Sequence, residues 1–583
     1  MNLLSVGRKN WTSKEFNSEE INFFKTNFFL DEIVAKLLSI RKIKKEEVKF
    51  FLNPLIKNIL PNPYILKDMD KAIERTEKAI LNNEKIGIFG DYDVDGATST
   101  AILGKFFELL HISYEIYIPD RKNEGFGPNE KGFLEFINLG VNLIFTVDCG
   151  TLSYGPMDFA KKKKIDVIIL DHHQSEIKLP SAHSIVNPNR FDDRSELNYL
   201  CAAGVCFMFL VALNKRLRDH KWFLENSIRE PELMDILDLV SLGTVCDVVP
   251  LVGLNRAIVH QGLKIFQRKK NLGLKTLIEV SNIENNITSY HLGYLLGPRI
   301  NAGGRVGRST HGANLLLNKN PKKTFKLAAE LNTYNKERQI LESELLKKIL
   351  NTKYENSTDP VIILNGENWH EGIIGIIAAR MKEKFNKPAI IISVNNGIGK
   401  GSGRSIHGFD LGSTIIAGVQ CGLLTRGGGH KMAAGFTIDS NKIDEFKKFM
   451  FRKFKSININ LEEKKNYYFD AEIAPSAVNI EFFEKINLLA PFGSGNPEPR
   501  FIIRNLKLVN SKIVAEKHIK IVLVGSDSST LKAISFNSVE TELGSYLLKK
   551  SKKTLDIAGK LSLNEWRGQK NVEFIIDDIS VIK

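Results

Sequence analysis

The 583 residues include only five cysteines, Cys149, Cys201, Cys206, Cys246 and Cys421, and no two are spaced as a CxxC pair. An odd, scattered set argues against a disulfide framework or a zinc knuckle and fits a reducing cytoplasm. Long apolar runs are missing too. No stretch approaches the ~18 uninterrupted apolar residues of a membrane span, and the opening MNLLSVGRKNWTSKEF has no apolar core of the signal-peptide kind. Neither export nor membrane insertion is expected. Acidic residues are in deficit: 67 Asp and Glu face 82 Lys and Arg, a formal charge of +15. That excess points to an anionic partner, with nucleic acid ahead of a membrane surface. Length and a 43% hydrophobic content suffice for roughly three or four ordinary domains.

The chain is organised around residues 86–96, IGIFGDYDVDG. Ile86, Ile88 and Phe89 suit a buried strand, Gly90 turns the backbone out of it, and Asp91, Asp93 and Asp95 follow at alternate positions. In extended chain, residues two apart point the same way, so Asp91 and Asp93 can converge. ATSTAILGKFFELL then has helical spacing, which places the carboxylates at the carboxyl edge of an α/β sheet, where such folds bind ligands. Crowded carboxylates repel unless a cation sits between them. A solvated acidic turn is the plain alternative. An EF-hand-like calcium loop is a poorer one, because Ile102 stands where the bidentate Glu belongs.

From 86 to about 260, strand and helix signals alternate as in a mostly parallel sheet. VNLIFTVDCG delivers Asp148, IDVIILDHH delivers Asp171, His172 and His173, and a helix read as ending near Gly243 precedes Asp247. Each alone is an ordinary polar strand end. Together, Asp91, Asp93, Asp148, His172 and Asp247 form a set of hard oxygen donors with one imidazole, suited to Mg²⁺ or, given the nitrogen, Mn²⁺. Such a set can hold two ions about 4 Å apart, the arrangement that hydrolyses phosphodiesters. Of the neighbouring histidines, His172 is expected to ligate and His173 to assist.

The set GDYDVDG, TVDCG, LDHH and CDVVPL resembles the DHH phosphoesterase superfamily and, by order and spacing, the bacterial RecJ family of single-strand-specific exonucleases. That resemblance implies a metal site of Asp91, Asp93, Asp148, His172 and Asp247, with His173 and Asp95 in the catalytic centre. It also implies that Arg121, in the Pro/Gly loop IPDRKNEGFGPN, helps bind the terminal phosphate. HLGYLLGPRINAGGRVGRSTHG (291–312) reads as a Gly-rich loop or hinge whose Arg299, Arg305 and Arg308 can grip phosphates. The family carries a similar segment with alanine where this chain has Gly304, a departure expected to matter little. Lys161–Lys164 reads first as a solvated helix end.

Five regions are expected. Residues 1–80 form a helical region packed on the catalytic domain, 81–320 the DHH catalytic domain, and 321–356 a long connecting helix. Residues 357–457 form a smaller α/β domain, similar to the DHH-associated substrate-binding domain, and 458–583 a β-barrel of the OB-fold type, a platform for single strands. In the fourth region GKGSGRSIHGFDL and TRGGGHKMAAGF read as basic Gly-rich loops, and the resemblance assigns Ser402 and Arg404 to the 5′ phosphate and His430 to the substrate. Trp566 and Arg567 are expected in a strand–strand turn, where the tryptophan can either stack a base or pack on the core or surface.

The resemblance implies a cytoplasmic, monomeric 5′→3′ exonuclease for single-stranded DNA that uses two Mn²⁺ or Mg²⁺ ions and releases mononucleotides in repair and recombination. Its expected partners are single-strand binding protein and a repair helicase. A phosphodiesterase for short oligonucleotides or cyclic dinucleotides and a non-catalytic DNA-binding scaffold are the alternatives. The long terminal regions count against the first, and the intact carboxylates against the second.

Overall fold

The computed structural model describes residues 5–121, 123–284, 286–350, 359–457, 466–549, 554–566 and 569–581. Residues 351–356 of the expected connecting helix, 458–465 of the expected barrel region and Arg567 lie outside them, as does the side chain of Trp566.

A five-stranded, all-parallel sheet forms the centre of the molecule, in the order Tyr114–Tyr117, Ile86–Gly90, Leu143–Val147, Asp166–Leu170, Ser184–Val186. Its middle strands are buried on both faces, which is why they read as unbroken apolar runs. On one face the helices Val94–Leu109, Ala202–Asp219 and Leu237–Cys246 build the main core. Glu130–Asn138 and Tyr154–Lys162 cover the other. The first strand of this sheet lies between the second and the third, so the chain reverses its direction of winding there. The carboxyl ends of the strands flanking such a reversal open a crevice, and these strands are the ones that end at Asp91 and Asp148.

The helix Pro321–Leu350, about 45 Å long at 1.5 Å per residue, links two cores. Ala328 and Leu331 bury in the catalytic core, and Leu345 and Ile349 bury against Ile373, Ile374 and Ile377 of the next domain. That domain has a five-stranded sheet in the order Arg426–His430, Ala433–Asp439, Ile398–Arg404, Ala389–Asn395, Ile362–Glu367, of which only the last pair is parallel. Much of what reads as Gly-rich loop at 399–411 and 425–436 is therefore strand. The glycines make room for partners: a Cβ at Gly401 would stand 2.1 Å from the Phe436 ring, and one at Gly403 2.7 Å from Leu411.

At the carboxyl end, Phe501–Val514, His518–Val524, Thr530–Ser535, Gln569–Val581 and Thr554–Trp566 close into a barrel, the last pairing back on the first. Closure removes exposed sheet edges. The amino-terminal region departs from expectation. Ile21, Phe24, Val34, Leu37 and Leu38 sink into the barrel's core with Phe501, Ile503 and Leu506, and Asn10–Ser13 pairs with Asn466–Phe469. Only from Ile56 onward, through Leu66, Met69, Ile73 and Ile80, does this region join the catalytic core. Helical spacing reveals the apolar stripe but not the partner, which here lies some 450 residues away.

Candidate metal centre and phosphate pocket

The loop after Ile86–Gly90 has to fold tightly to gather its acids. Asp93 caps the helix Val94–Leu109, its Oδ1 accepting the Gly96 N–H at 3.0 Å. A Cβ at Gly96 would lie 2.6 Å from the Asp91 carbonyl, so the turn tolerates only glycine. Asp148 leaves its strand with φ 59°, and the residue after Asp247, Val248, is held at φ 60°, where a β-branched side chain is strained. Asp247 caps the carboxyl end of Leu237–Cys246, which runs one turn past the Gly243 end read from the sequence.

Three overlapping sets of donors result, each with its ligand atoms within 4.8 Å of one another: Asp91, Asp93 and Asp148; Asp95, His172 and Asp247; and Asp148, His172 and His173. His172 Nε2 lies 3.4 Å from Asp148 Oδ1, 3.5 Å from Asp247 Oδ2 and 3.9 Å from Asp95 Oδ2. Burial, and then their mutual charge, push the carboxyls of Asp91 and Asp148 well above the usual range, and that of Asp247 up to about 9. Burial also lowers His172, which favours the neutral imidazole a cation needs. Asp95 is the least available member, since both its oxygens accept backbone N–H groups of Ala202 and Ala203, at 2.7 and 2.9 Å.

His173 is held differently. Its Nδ1 lies 2.7 Å from Asp171 Oδ1, which also accepts the backbone N–H groups of His172 and His173, while Asp171 Oδ2 accepts that of Thr151. Burial disfavours the imidazolium, but the charge and hydrogen bond of Asp171 outweigh it and push His173 up to about 9. Burial likewise raises Asp171, yet His173 holds it far below the ordinary carboxylate range. Phe126 meets the His173 ring edge-on at 5.8 Å, and His430 of the second domain stacks on it at 6.1 Å.

Beside the carboxylates, arginines from both domains converge. The guanidinium of Arg305 donates to the Gly372 carbonyl at 3.1 Å, and that of Arg404 to Ser402 Oγ at 3.3 Å. Arg305 is lowered to about 10, and Arg404 is lowered as well, by burial and then by neighbouring guanidinium charge. Arg121 acts on both, and Arg305 also feels Asp93. Half-buried like charges of this kind make a pocket for an anion. Arg299 does not join them. It donates to Asn332 Oδ1 and to the Leu295 carbonyl, tying its own helix to the long connecting one.

The segment 291–306 is not a loop. It runs as a π-turn, His291–Leu296, into the α-helix Gly297–Val306 with Pro298 in its first turn. Its side chains one turn apart serve the acidic loop: Asn301 Oδ1 accepts the Val94 N–H at 3.1 Å, and Gly304 and Arg305 lie along the same face. The departure from the family segment GPRINAAGR falls at Gly303 rather than at Gly304, where a Cβ would stand 2.9 Å from the Tyr92 ring.

Three family descriptions match the chain: "DHH family, N-terminal domain" over residues 85–244, "DHHA1 domain" over 358–456 and "RecJ OB domain" over 469–578. Proteins named single-stranded-DNA-specific exonuclease RecJ are similar along most of its length. The Dickeya dadantii protein is 34% identical over 530 residues, covering 88% of this chain and 91% of its own. The Escherichia coli K12 protein is 33% identical over 566 residues, covering 94% and 96%. The chain belongs to the RecJ family. Among solved structures, RecJ of Thermus thermophilus in complex with Mn²⁺ superposes with a TM-score of 0.81 at 26% identity, over 98% of this chain and 80% of that one. The same protein in complex with Mg²⁺ gives 0.75 at 25% identity, over 98% and 78%.

The donor set of this RecJ family member suits such ions. Asp91 Oδ1 and Asp247 Oδ2 are buried with no hydrogen-bond partner among the described residues, so each keeps a lone pair for a cation. Sequence reasoning left Asp171 without a role. Its signal was present, since it opens the DHH triplet, but only the fold shows that it faces His173 rather than a metal-sized gap. Asn187 and Asn189, which bind the carbonyls of His173 and His172 at 2.8 and 2.6 Å, carried no signal at all.

Proposed function

We propose that this chain is a metal-dependent 5′→3′ exonuclease acting on single-stranded DNA, releasing 5′-mononucleotides in DNA repair and recombination. The observation that carries this reading is that arginines sit beside the three donor sets, Arg121 near enough to act on Asp91 and Arg305 on Asp93, while His430 of the second domain stacks on His173. Asp91, Asp93, Asp148, His172 and Asp247 would hold two Mn²⁺ or Mg²⁺ ions, with Asp95 supporting His172 and Asp247. Such ions make water more acidic and neutralise charge on phosphoryl oxygens. The arginine pocket takes the 5′-terminal phosphate and so presents the next phosphodiester to the carboxylate cluster. His173, kept charged by Asp171, faces the phosphoryl group undergoing cleavage and balances its developing negative charge. His430 covers that histidine when the second domain is in place.

The rest of the strand follows a groove of about 1040 Å³ between the catalytic domain and the barrel, lined by Val248, Tyr290, Tyr294, Phe492, Lys264 and Lys560. Stacked tyrosines and lysines are the features that hold single strands without regard to sequence. A monomer is the working unit in this reading, and a helicase and single-strand binding protein supply its substrate. The test is digestion of a 3′-labelled 30-mer, with and without a 5′ phosphate, across several divalent metals. Asp93→Ala should lower Mn²⁺-dependent digestion at least about a thousandfold while leaving strand binding within a few fold. Unchanged digestion by that variant, or release of label as the first product, would refute the proposal.

A further inference from the structure

One side chain of the acidic loop has no part in the chemistry above. Tyr92 stands between Asp91 and Asp93, and its ring packs on three neighbours. The guanidinium carbon of Arg121 lies 5.3 Å from the ring centroid, Phe126 meets it edge-on at 6.4 Å, and Gly304 lies directly behind it. The approach is close enough that a Cβ at 304 would stand 2.9 Å from Tyr92 Cδ2 and 3.2 Å from its Cβ and Cγ. These are ring-root atoms of a side chain whose backbone is fixed by two acidic neighbours, so the ring cannot simply swing clear. The same helix controls Arg121 from its other side, because Ser309 Oγ, just beyond the helix end, accepts the Arg121 backbone N–H at 3.3 Å.

We infer that Tyr92, seated in the notch left by Gly304, is a positioning residue that aims Arg121 at the 5′-terminal phosphate and thereby sets the preference for phosphorylated ends. The inference rests on the phosphate pocket proposed above. A long arginine on a loop samples many rotamers, and fixing it before the anion arrives removes an ordering cost that binding would otherwise carry. A cation held over an aromatic face is attracted to it, yet its N–H groups stay free at the edge to meet a phosphate. Arg305 and Arg404 repel Arg121 as well as attract the anion. Without the ring, Arg121 has reason to turn out to solvent whenever the pocket is empty.

The experiment compares KM and kcat on a 30-mer bearing a 5′ phosphate and on the same strand with a 5′ hydroxyl, for wild type, Tyr92→Leu, Tyr92→Phe, Gly304→Ala, Arg121→Ala and the pair Tyr92→Leu with Gly304→Ala. Mn²⁺-induced thermal shift reports whether each variant keeps its folded metal site. Tyr92→Leu should reduce the phosphate preference in kcat/KM by about two- to thirtyfold, through KM for the phosphorylated strand. Tyr92→Phe, which keeps the ring, should restore it. Gly304→Ala should reduce it in the same direction, with no additional effect in the double variant, because both act on one packing arrangement. Equal losses on both strands in Tyr92→Leu, or an unchanged preference in a folded Tyr92→Leu, would overturn the inference while leaving the pocket standing. An unchanged preference in Arg121→Ala would remove the pocket's assignment and the inference with it.

Discussion

At the scale of single residues, the centre is a set of charges that oppose one another unless something is placed among them. Asp171 is the exception, an acid matched to a histidine rather than to a cation. Replacing it with asparagine should leave Mn²⁺ affinity within a few fold but lower kcat by about 10- to 100-fold, the usual effect of losing a group that orients another. Single-turnover rates at saturating Mn²⁺ would measure it. A second residue tests the protein's acid–base balance away from the site. Asp238 is buried in the main core, and burial, only partly offset by the Leu239 N–H and Lys105, pushes its carboxyl from 3.8 to about 6. A raised folded-state value means that Asp238 favours the folded state most below pH 4, and that this contribution disappears as pH rises through 6. Asp238→Asn should therefore match wild type near pH 4 and gain up to roughly 3 kcal/mol by pH 8, read as urea midpoints across that range. A flat difference would refute the assignment.

At the scale of elements, the long helix and the Gly-rich segments decide what the cleft can do. Ile340 lies on an exposed face of Pro321–Leu350, where a proline would remove a backbone bond and cost about 3 kcal/mol. Ile340→Pro should keep both flanking domains folded, as judged by circular dichroism. It should abolish digestion, because Arg404, Ser402 and His430 would lose their register with Arg305 and His173. The sequence revealed the strand-end acids plainly: LIFTV and VIIL are buried throughout, and each run is followed directly by an aspartate. It misled where glycine was frequent. At 297–306 and 399–404 glycine marks close packing inside a helix or a strand, and composition cannot distinguish that from a flexible turn. Arg299 had no local mark that foretold its bonds to Asn332 and Leu295, since an arginine in a basic segment can be a phosphate ligand or a strut between helices.

At the scale of the whole molecule, net charge and domain docking set the response to conditions. Binding of single strands should fall steeply with salt, and each phosphate that is no longer gripped should flatten the log–log slope by about 0.7. Arg404→Ala should show that change in a titration of fluorescent oligonucleotide from 50 to 300 mM salt (on the order of the usual working range). Arg256 joins three regions: its guanidinium stacks on Phe51 at 3.9 Å and donates to the carbonyls of Phe51 and Ala490 at 2.9 and 2.8 Å. Arg256→Leu would leave those buried acceptors bare, at a cost on the order of 3 kcal/mol. Limited proteolysis should then cut earlier between the catalytic domain and the barrel.

The docking of the first helices into the barrel has a further consequence, one of timing. A ribosome adding about 5–20 residues per second makes Phe24, Leu37 and Leu38 long before the strands that bury them. For something like half a minute to two minutes, that apolar face waits on a growing polypeptide with its partner unmade. That interval is when this face is most exposed to aggregation.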